Sequence, residues 1–135
     1  MSARAGKGAL MLFDTDVIIW ALRGNPRAAA AIDQADSLDL SIVSYMELIR
    51  GARDRRELNA TKTALANLDF QILALSENIG HRASIYLEEY ALKSNLGIPD
   101  ALIAATAVEN AQPLCTANAK DYRAIAEIKL KVFRP

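Results

Sequence analysis

Four acidic residues recur at one kind of position in this chain: Asp14, Glu47, Asp100 and Asp121 each follow an expected strand or open an expected helix. The first lies in Leu10-Met11-Leu12-Phe13-Asp14-Thr15-Asp16-Val17-Ile18-Ile19, where an apolar run stops at two carboxylates and then resumes. Such a run reads as a buried parallel strand whose carboxyl end delivers a side chain to a crevice. Ligands of open α/β sheets bind at that edge. Carboxylates gathered there repel one another and raise each other's pKa, so the cluster persists chiefly when a hard divalent cation neutralises it. Mg²⁺ or Mn²⁺ suits an all-oxygen donor set. The chemistry this supports is attack of metal-activated water on a phosphodiester.

Three of the four acids also have a purely structural reading. Asp14 or Asp16 can cap the helix that follows, because aspartate is a preferred N-cap and is favoured by the helix dipole. Glu47 stands three residues after Ser44, the spacing of a capping box. Asp100 follows Pro99 and belongs to the first turn of a helix. The two readings forecast different losses on mutation, of stability for a cap and of rate for a site.

The elements that position these residues follow from the pattern. A strand ending near Phe13 leads into a helix from about Asp16 to Arg23, stopped by Gly24-Asn25-Pro26. A second helix spans roughly Pro26 to Gln34, and a second strand runs from Leu38 to about Ser44. Helices from Ser44 to Arg53 and from about Glu57 to Leu68 precede a third strand, Phe70 to Leu75. Ser76 caps a long helix with apolar residues at helical spacing. The helix opened by Asp100 is apolar almost all round, so it must be buried. Strands at Pro113 to Thr116 and Ile128 to Phe133 complete about five, and strands alternating with helices imply a largely parallel sheet.

Bulk properties narrow the classes. At 135 residues and 52% hydrophobic, the chain has enough apolar content for one core. Residues 1–9 are small and polar and read as a disordered leader ahead of a single domain over 10–135, with Met11 a possible alternative start. The formal charge is zero, so nucleic-acid binding must be local. Arg50, Arg53, Arg55 and Arg56 form one basic segment, interrupted by Asp54, and Lys120 and Arg123 flank Asp121. The bland reading of the arginines is a solvated helix face. The single cysteine, Cys115, sits in an apolar context that suits the core and a reducing cytosol. The single histidine, His81, reads as an ordinary helix residue, and without His or Cys clusters a zinc site is excluded. No apolar run reaches membrane-spanning length.

With these residues in hand, the chain resembles a PIN-domain ribonuclease, more narrowly a VapC-type toxin of a VapBC module. The resemblance rests on 12–19, on Ser44-Tyr45-Met46-Glu47-Leu48 with Arg50-Gly51-Ala52, on 98–107, and on Thr116-Ala117-Asn118-Ala119-Lys120-Asp121-Tyr122. It implies a three-layer α/β/α fold, Mg²⁺ or Mn²⁺, endonucleolytic RNA cleavage, homodimerisation and inhibition by a cognate VapB-type antitoxin, and the cysteine usage adds a cytoplasmic setting. It also implies an acidic quartet of Asp14, Glu47, Asp100 and Asp121, supported by Thr15, Asp16 and Asn118. Family members often carry Asn where Asp16 stands, and Arg where Ala117 stands. Two alternatives remain: a catalytically silent PIN domain that binds RNA or a partner, and a haloacid-dehalogenase-type phosphatase, whose nucleophile motif Asp14-Thr15-Asp16-Val17 resembles.

Overall fold

The computed structural model describes residues 10–135; the expected leader lies outside the described residues. Five strands form one parallel sheet: β1 (Leu12–Phe13), β2 (Asp39–Ser41), β3 (Gln71–Leu73), β4 (Leu114–Thr116) and β5 (Leu130–Val132). Their spatial order is β3-β2-β1-β4-β5. The chain steps outward from β1 to β3, then returns to the other side of β1. The point of reversal therefore lies between β1 and β4, where an open parallel sheet forms its crevice.

Seven helices occur among the described residues: α1 (Thr15–Leu22), α2 (Pro26–Gln34), α3 (Ile42–Arg50), α4 (Arg55–Asn67), α5 (Glu77–Tyr90), α6 (Ile98–Glu109) and α7 (Ala119–Tyr122). Alternation along the central strands divides the core in two. Leu12 and Leu114 face a cluster built from Ile79, Ala83, Tyr86 and the buried residues of α6. Met11, Phe13 and Cys115 face the opposite cluster, which holds Val17, Ile18, Ala28, Ile32, Leu48 and Leu65. The result is the three-layer α/β/α arrangement. Cys115 is buried, as its context implied. Helix α6 is the most enclosed, with Ala101 and Ile103 to Ala107 all buried. Its alanines let α5 approach closely.

Most elements begin and end near their expected positions, with one informative exception. The second strand ends at Ser41 rather than Ser44. Ser41 is fully buried, and its hydroxyl accepts the Val43 N–H at 3.0 Å, which ends the strand and caps α3. Ser44 thus lies inside α3, and the Ser44–Glu47 capping box does not form. A cap of that spacing occurs instead ten residues on: Asp54 accepts the Glu57 N–H at 2.8 Å, while Glu57 reaches back to the Arg53 N–H at 2.8 Å. The two caps make an expectation for stability. Ser41→Ala should lower unfolding free energy by about 1 kcal/mol, whereas Glu47→Gln should leave it at the wild-type value in a urea melt. A matching loss in Glu47→Gln would restore Glu47 as a cap.

Candidate active site

Asp14 follows β1 at the point of reversal and is 5% exposed. Its Oδ1 accepts the Thr15 N–H at 2.8 Å, so it does cap α1 locally. Its Oδ2 accepts two hydroxyls, from Thr116 at 2.8 Å and Tyr122 at 3.0 Å. Thr116 ends β4, the neighbour of β1, and its own oxygen accepts the Asn118 N–H at 3.0 Å. Cap and site readings of Asp14 are therefore both true, on different oxygens. Burial is the dominant influence on its carboxyl and, with the charge of Asp16, pushes it up to about 7 against the three hydrogen bonds.

Asp16 lies one residue into α1 and joins the same crevice. Its Oδ2 accepts from the Ala117 N–H at 3.2 Å and from the Asn118 side-chain amide at 3.0 Å. Its Oδ1 is buried without a hydrogen-bond partner. Burial raises its pKa, offset first by the Ala117 amide, and the charge of Asp100 adds to the rise. Asp100, in the first turn of α6, stands with Oδ1 3.3 Å from the Tyr122 hydroxyl. Its pKa is raised by burial and then by the neighbouring charge of Asp121, against the Gly97 amide. Burial, followed by the Asp14 and Asp100 charges, holds the Tyr122 phenol neutral, far above the ordinary tyrosine range.

Glu47 approaches from α3 along a separate route. The Thr15 hydroxyl is 2.7 Å from Glu47 Oε1 and 2.8 Å from the Ser44 hydroxyl. A threonine has one proton to give, and an ionised carboxylate only accepts. The order is therefore Ser44 donating to Thr15 and Thr15 donating to Glu47. Glu47 itself is exposed, at the mouth of the crevice rather than its floor.

The four expected acids are thus not one closed cluster. Asp14, Asp16 and Asp100 are linked by hydrogen bonds or mutual charge, Asp121 adjoins Asp100, and Glu47 is attached through Thr15. Among the described residues, no three carboxylate, histidine or cysteine side chains stand at metal-coordinating distances. The donor set nevertheless fits a hard divalent cation. It is all oxygen, it carries the repulsion a cation relieves, and it contains one buried carboxylate oxygen, Asp16 Oδ1, with no protein partner. Thr116, Ser44 and Tyr122 were not singled out from the sequence as site residues. Tyr122 had a signal, since it ends the same 116–122 motif.

The expected basic residues all lie on the surface. Arg50, Lys120 and Arg123 are exposed. Arg53 is held by Glu57 through Nε at 2.9 Å and Nη2 at 2.5 Å. Beside them a groove of about 850 Å³ runs between α1, α3 and α4, floored by Ile19, Leu22, Leu48, Ala52, Ala60 and Ala64. Arg23, Glu47, Arg53 and Glu57 form its polar walls. His81 is exposed on α5, as an ordinary helix residue would be.

The sheet order, the three layers and this acidic edge define a PIN-like α/β protein. The PIN-domain family profile matches residues 11–128, and the chain belongs to that family. A chain of a toxin–antitoxin complex from Klebsiella pneumoniae is 31% identical, with TM-score 0.74 over 87% of this chain and 94% of its own length. VapBC-1 from nontypeable Haemophilus influenzae is similar in fold at 22% identity, with TM-score 0.78 over 91% of this chain and 97% of that one. DNA-bound VapBC from Salmonella typhimurium has the same TM-score, 0.78, at 18% identity over 93% and 98% of the two chains. No curated protein sequence matches significantly. Membership of the PIN family leaves the phosphatase alternative without support. No helix among the described residues is long and apolar enough to cross a membrane.

Asp14 makes a pH expectation. Its carboxyl is raised from the ordinary 3.8 to about 7 in the folded chain, so the unfolded chain ionises first as pH rises. Stability is then fullest below about pH 4 and falls until about pH 7, by on the order of 4 kcal/mol. Asp14→Asn removes that loss. In EDTA, the variant should melt above wild type at pH 8, and the gap should close as pH falls to 4. A gap that does not change with pH would show that Asp14 is not carried uncharged into the fold.

Proposed function

We propose that this chain is a Mg²⁺- or Mn²⁺-dependent endoribonuclease, the VapC-type toxin of a type II toxin–antitoxin module. The observation that carries the reading is the convergence of Asp14, Asp16 and Asp100 at the reversal point of a PIN-domain sheet, with Glu47 fixed at the mouth. Asp14, Asp100 and Asp121 would hold the cation, with the free Oδ1 of Asp16 available to it and Glu47 reaching it directly or through water. When bound, the cation neutralises the acidic edge, lowers the pKa of water and stabilises charge on the phosphate oxygens.

The chain's own groups supply the rest. Thr116, Tyr122 and the Thr15 amide fix Asp14 so that little reorganisation is needed. Glu47 has Oε1 fixed by Thr15, leaving Oε2 to take a proton as the water oxygen forms its bond to phosphorus and one bridging P–O bond breaks. Lys120, Arg123 and Arg50 attract the RNA backbone toward an edge that is otherwise anionic. The similar proteins are toxin–antitoxin complexes, and the groove between α1, α3 and α4 has the apolar floor and charged walls suited to an antitoxin segment. A homodimer working in the cytoplasm completes the proposal.

Two outcomes test it. Purified protein should cleave single-stranded RNA with added Mg²⁺ or Mn²⁺ and not in EDTA, and Asp100→Asn should lower kcat by about a hundredfold or more. Cleavage that persists in EDTA would overturn the metal-dependent reading, and no cleavage under any metal would leave the silent binding module. Salt dependence reads the basic rim. Replacing Lys120 and Arg123 by Ala should flatten the slope of log affinity against log salt by about two. Arg50→Ala should flatten it by about one, and Arg53→Ala by less, because Glu57 already neutralises that guanidinium. An unchanged slope in every variant would place the RNA path elsewhere.

A further inference from the structure

Tyr122 has more to do than fill the core. Its ring lies in the α5–α6 cluster and is 1% exposed. A phenylalanine would pack the same way. The hydroxyl, however, is carried to a place where it reaches two carboxylates of different chain segments, Asp14 buried and Asp100 partly so. It stands 3.0 Å from Asp14 Oδ2 and 3.3 Å from Asp100 Oδ1. Asp14 follows β1 and Asp100 opens α6, so no backbone hydrogen bond ties the two carboxylates to each other.

A phenol has one proton and spare lone pairs, while an ionised carboxylate has only acceptors. The shorter contact takes the proton, so Tyr122 donates to Asp14, where it joins the Thr116 hydroxyl on the same oxygen. Asp100 Oδ1, at 3.3 Å, is the second acceptor within reach of that proton, so a single phenol stands between the two carboxylates. Without it Thr15 and Thr116 would still hold Asp14 and the Gly97 amide would hold Asp100, but no group would stand between the two. We propose that Tyr122 is a positioning residue, whose hydroxyl sets the spacing of Asp14 and Asp100 for a divalent cation. The inference rests on the metal-dependent reading above.

Groups that orient metal ligands change affinity by about 10- to 100-fold when removed. The experiment titrates Mn²⁺ alone into wild type, Tyr122→Phe and Asp14→Asn by calorimetry, and follows tyrosine ultraviolet absorption on adding Mg²⁺. Tyr122→Phe keeps the ring and the fold. The expected result is a Kd for Mn²⁺ raised at least tenfold. Wild type should also show a tyrosine difference spectrum on binding Mg²⁺ that Tyr122→Phe lacks. Wild-type affinity in Tyr122→Phe would overturn the proposal alone and leave the hydroxyl as a hydrogen bond of the core. Absence of Mn²⁺ binding by wild type, or equal binding by Asp14→Asn, would overturn the metal reading and this proposal with it.

Discussion

Much of this structure follows from the cost of putting a carboxylate at the buried end of β1. Asp14 is almost wholly withdrawn from water, and an ionised group there is expensive unless it is hydrogen-bonded or paired. Three donors converge on it, from the adjacent residue, from the end of β4 and from α7. Hydrogen bonds to a charged group are worth about 1.5–3 kcal/mol each. They still do not outweigh burial and the neighbouring Asp16, since the carboxyl remains raised to about 7. The fold therefore keeps an unfavourable charge that its own polar groups only partly relieve. Stability given up at one edge of a sheet is the usual sign that the edge serves something other than stability.

The topology explains why the cost falls there. Because β2 and β4 lie on opposite sides of β1, the segments leaving β1 and β4 diverge and open a crevice between them. Asp14 and Thr116 occupy its two lips. Helix α6 brings a third segment by a different device. Its sides are apolar and small, so it sinks into the core beside α5 and carries Asp100 with it. A polar face on α6 would hold that carboxylate in solvent, and the phenol of Tyr122 would meet Asp14 only.

Legibility from sequence divides along the same line. Buried parallel strands read as apolar runs and a buried helix as a helix without a polar face, so β1, β4 and α6 could be placed from composition and period alone. Caps were harder, because Ser44-Tyr45-Met46-Glu47 and Asp54-Arg55-Arg56-Glu57 have the same spacing, and only the hydrogen bond by which Ser41 caps α3 shows that Ser44 lies inside that helix. The acids at the edge were legible as types following strands. Their partition into a buried floor and an exposed Glu47 was not. The network on Asp14 joins residues 102 and 108 positions apart, and no local pattern announces such a pairing. Tyr122 was hidden for that reason: in sequence it is an aromatic beside an acid, and only the fold shows where its oxygen ends.

Glu47 connects the chemistry to the surface. It closes the hydroxyl chain from Ser44 through Thr15, which ties the first turn of α1 to α3, and it also forms part of the wall of the groove between α1, α3 and α4. One carboxylate thus belongs to both places. The groove's other anion, Glu57, is already matched by Arg53, whereas Glu47 accepts a single hydroxyl, from Thr15. The groove's walls therefore carry both signs of charge, Arg23 and Arg53 with Glu47 and Glu57, above an apolar floor. A single threonine thus links the buried carboxylate of Asp14, through its amide, to the rim carboxylate of Glu47, through its hydroxyl.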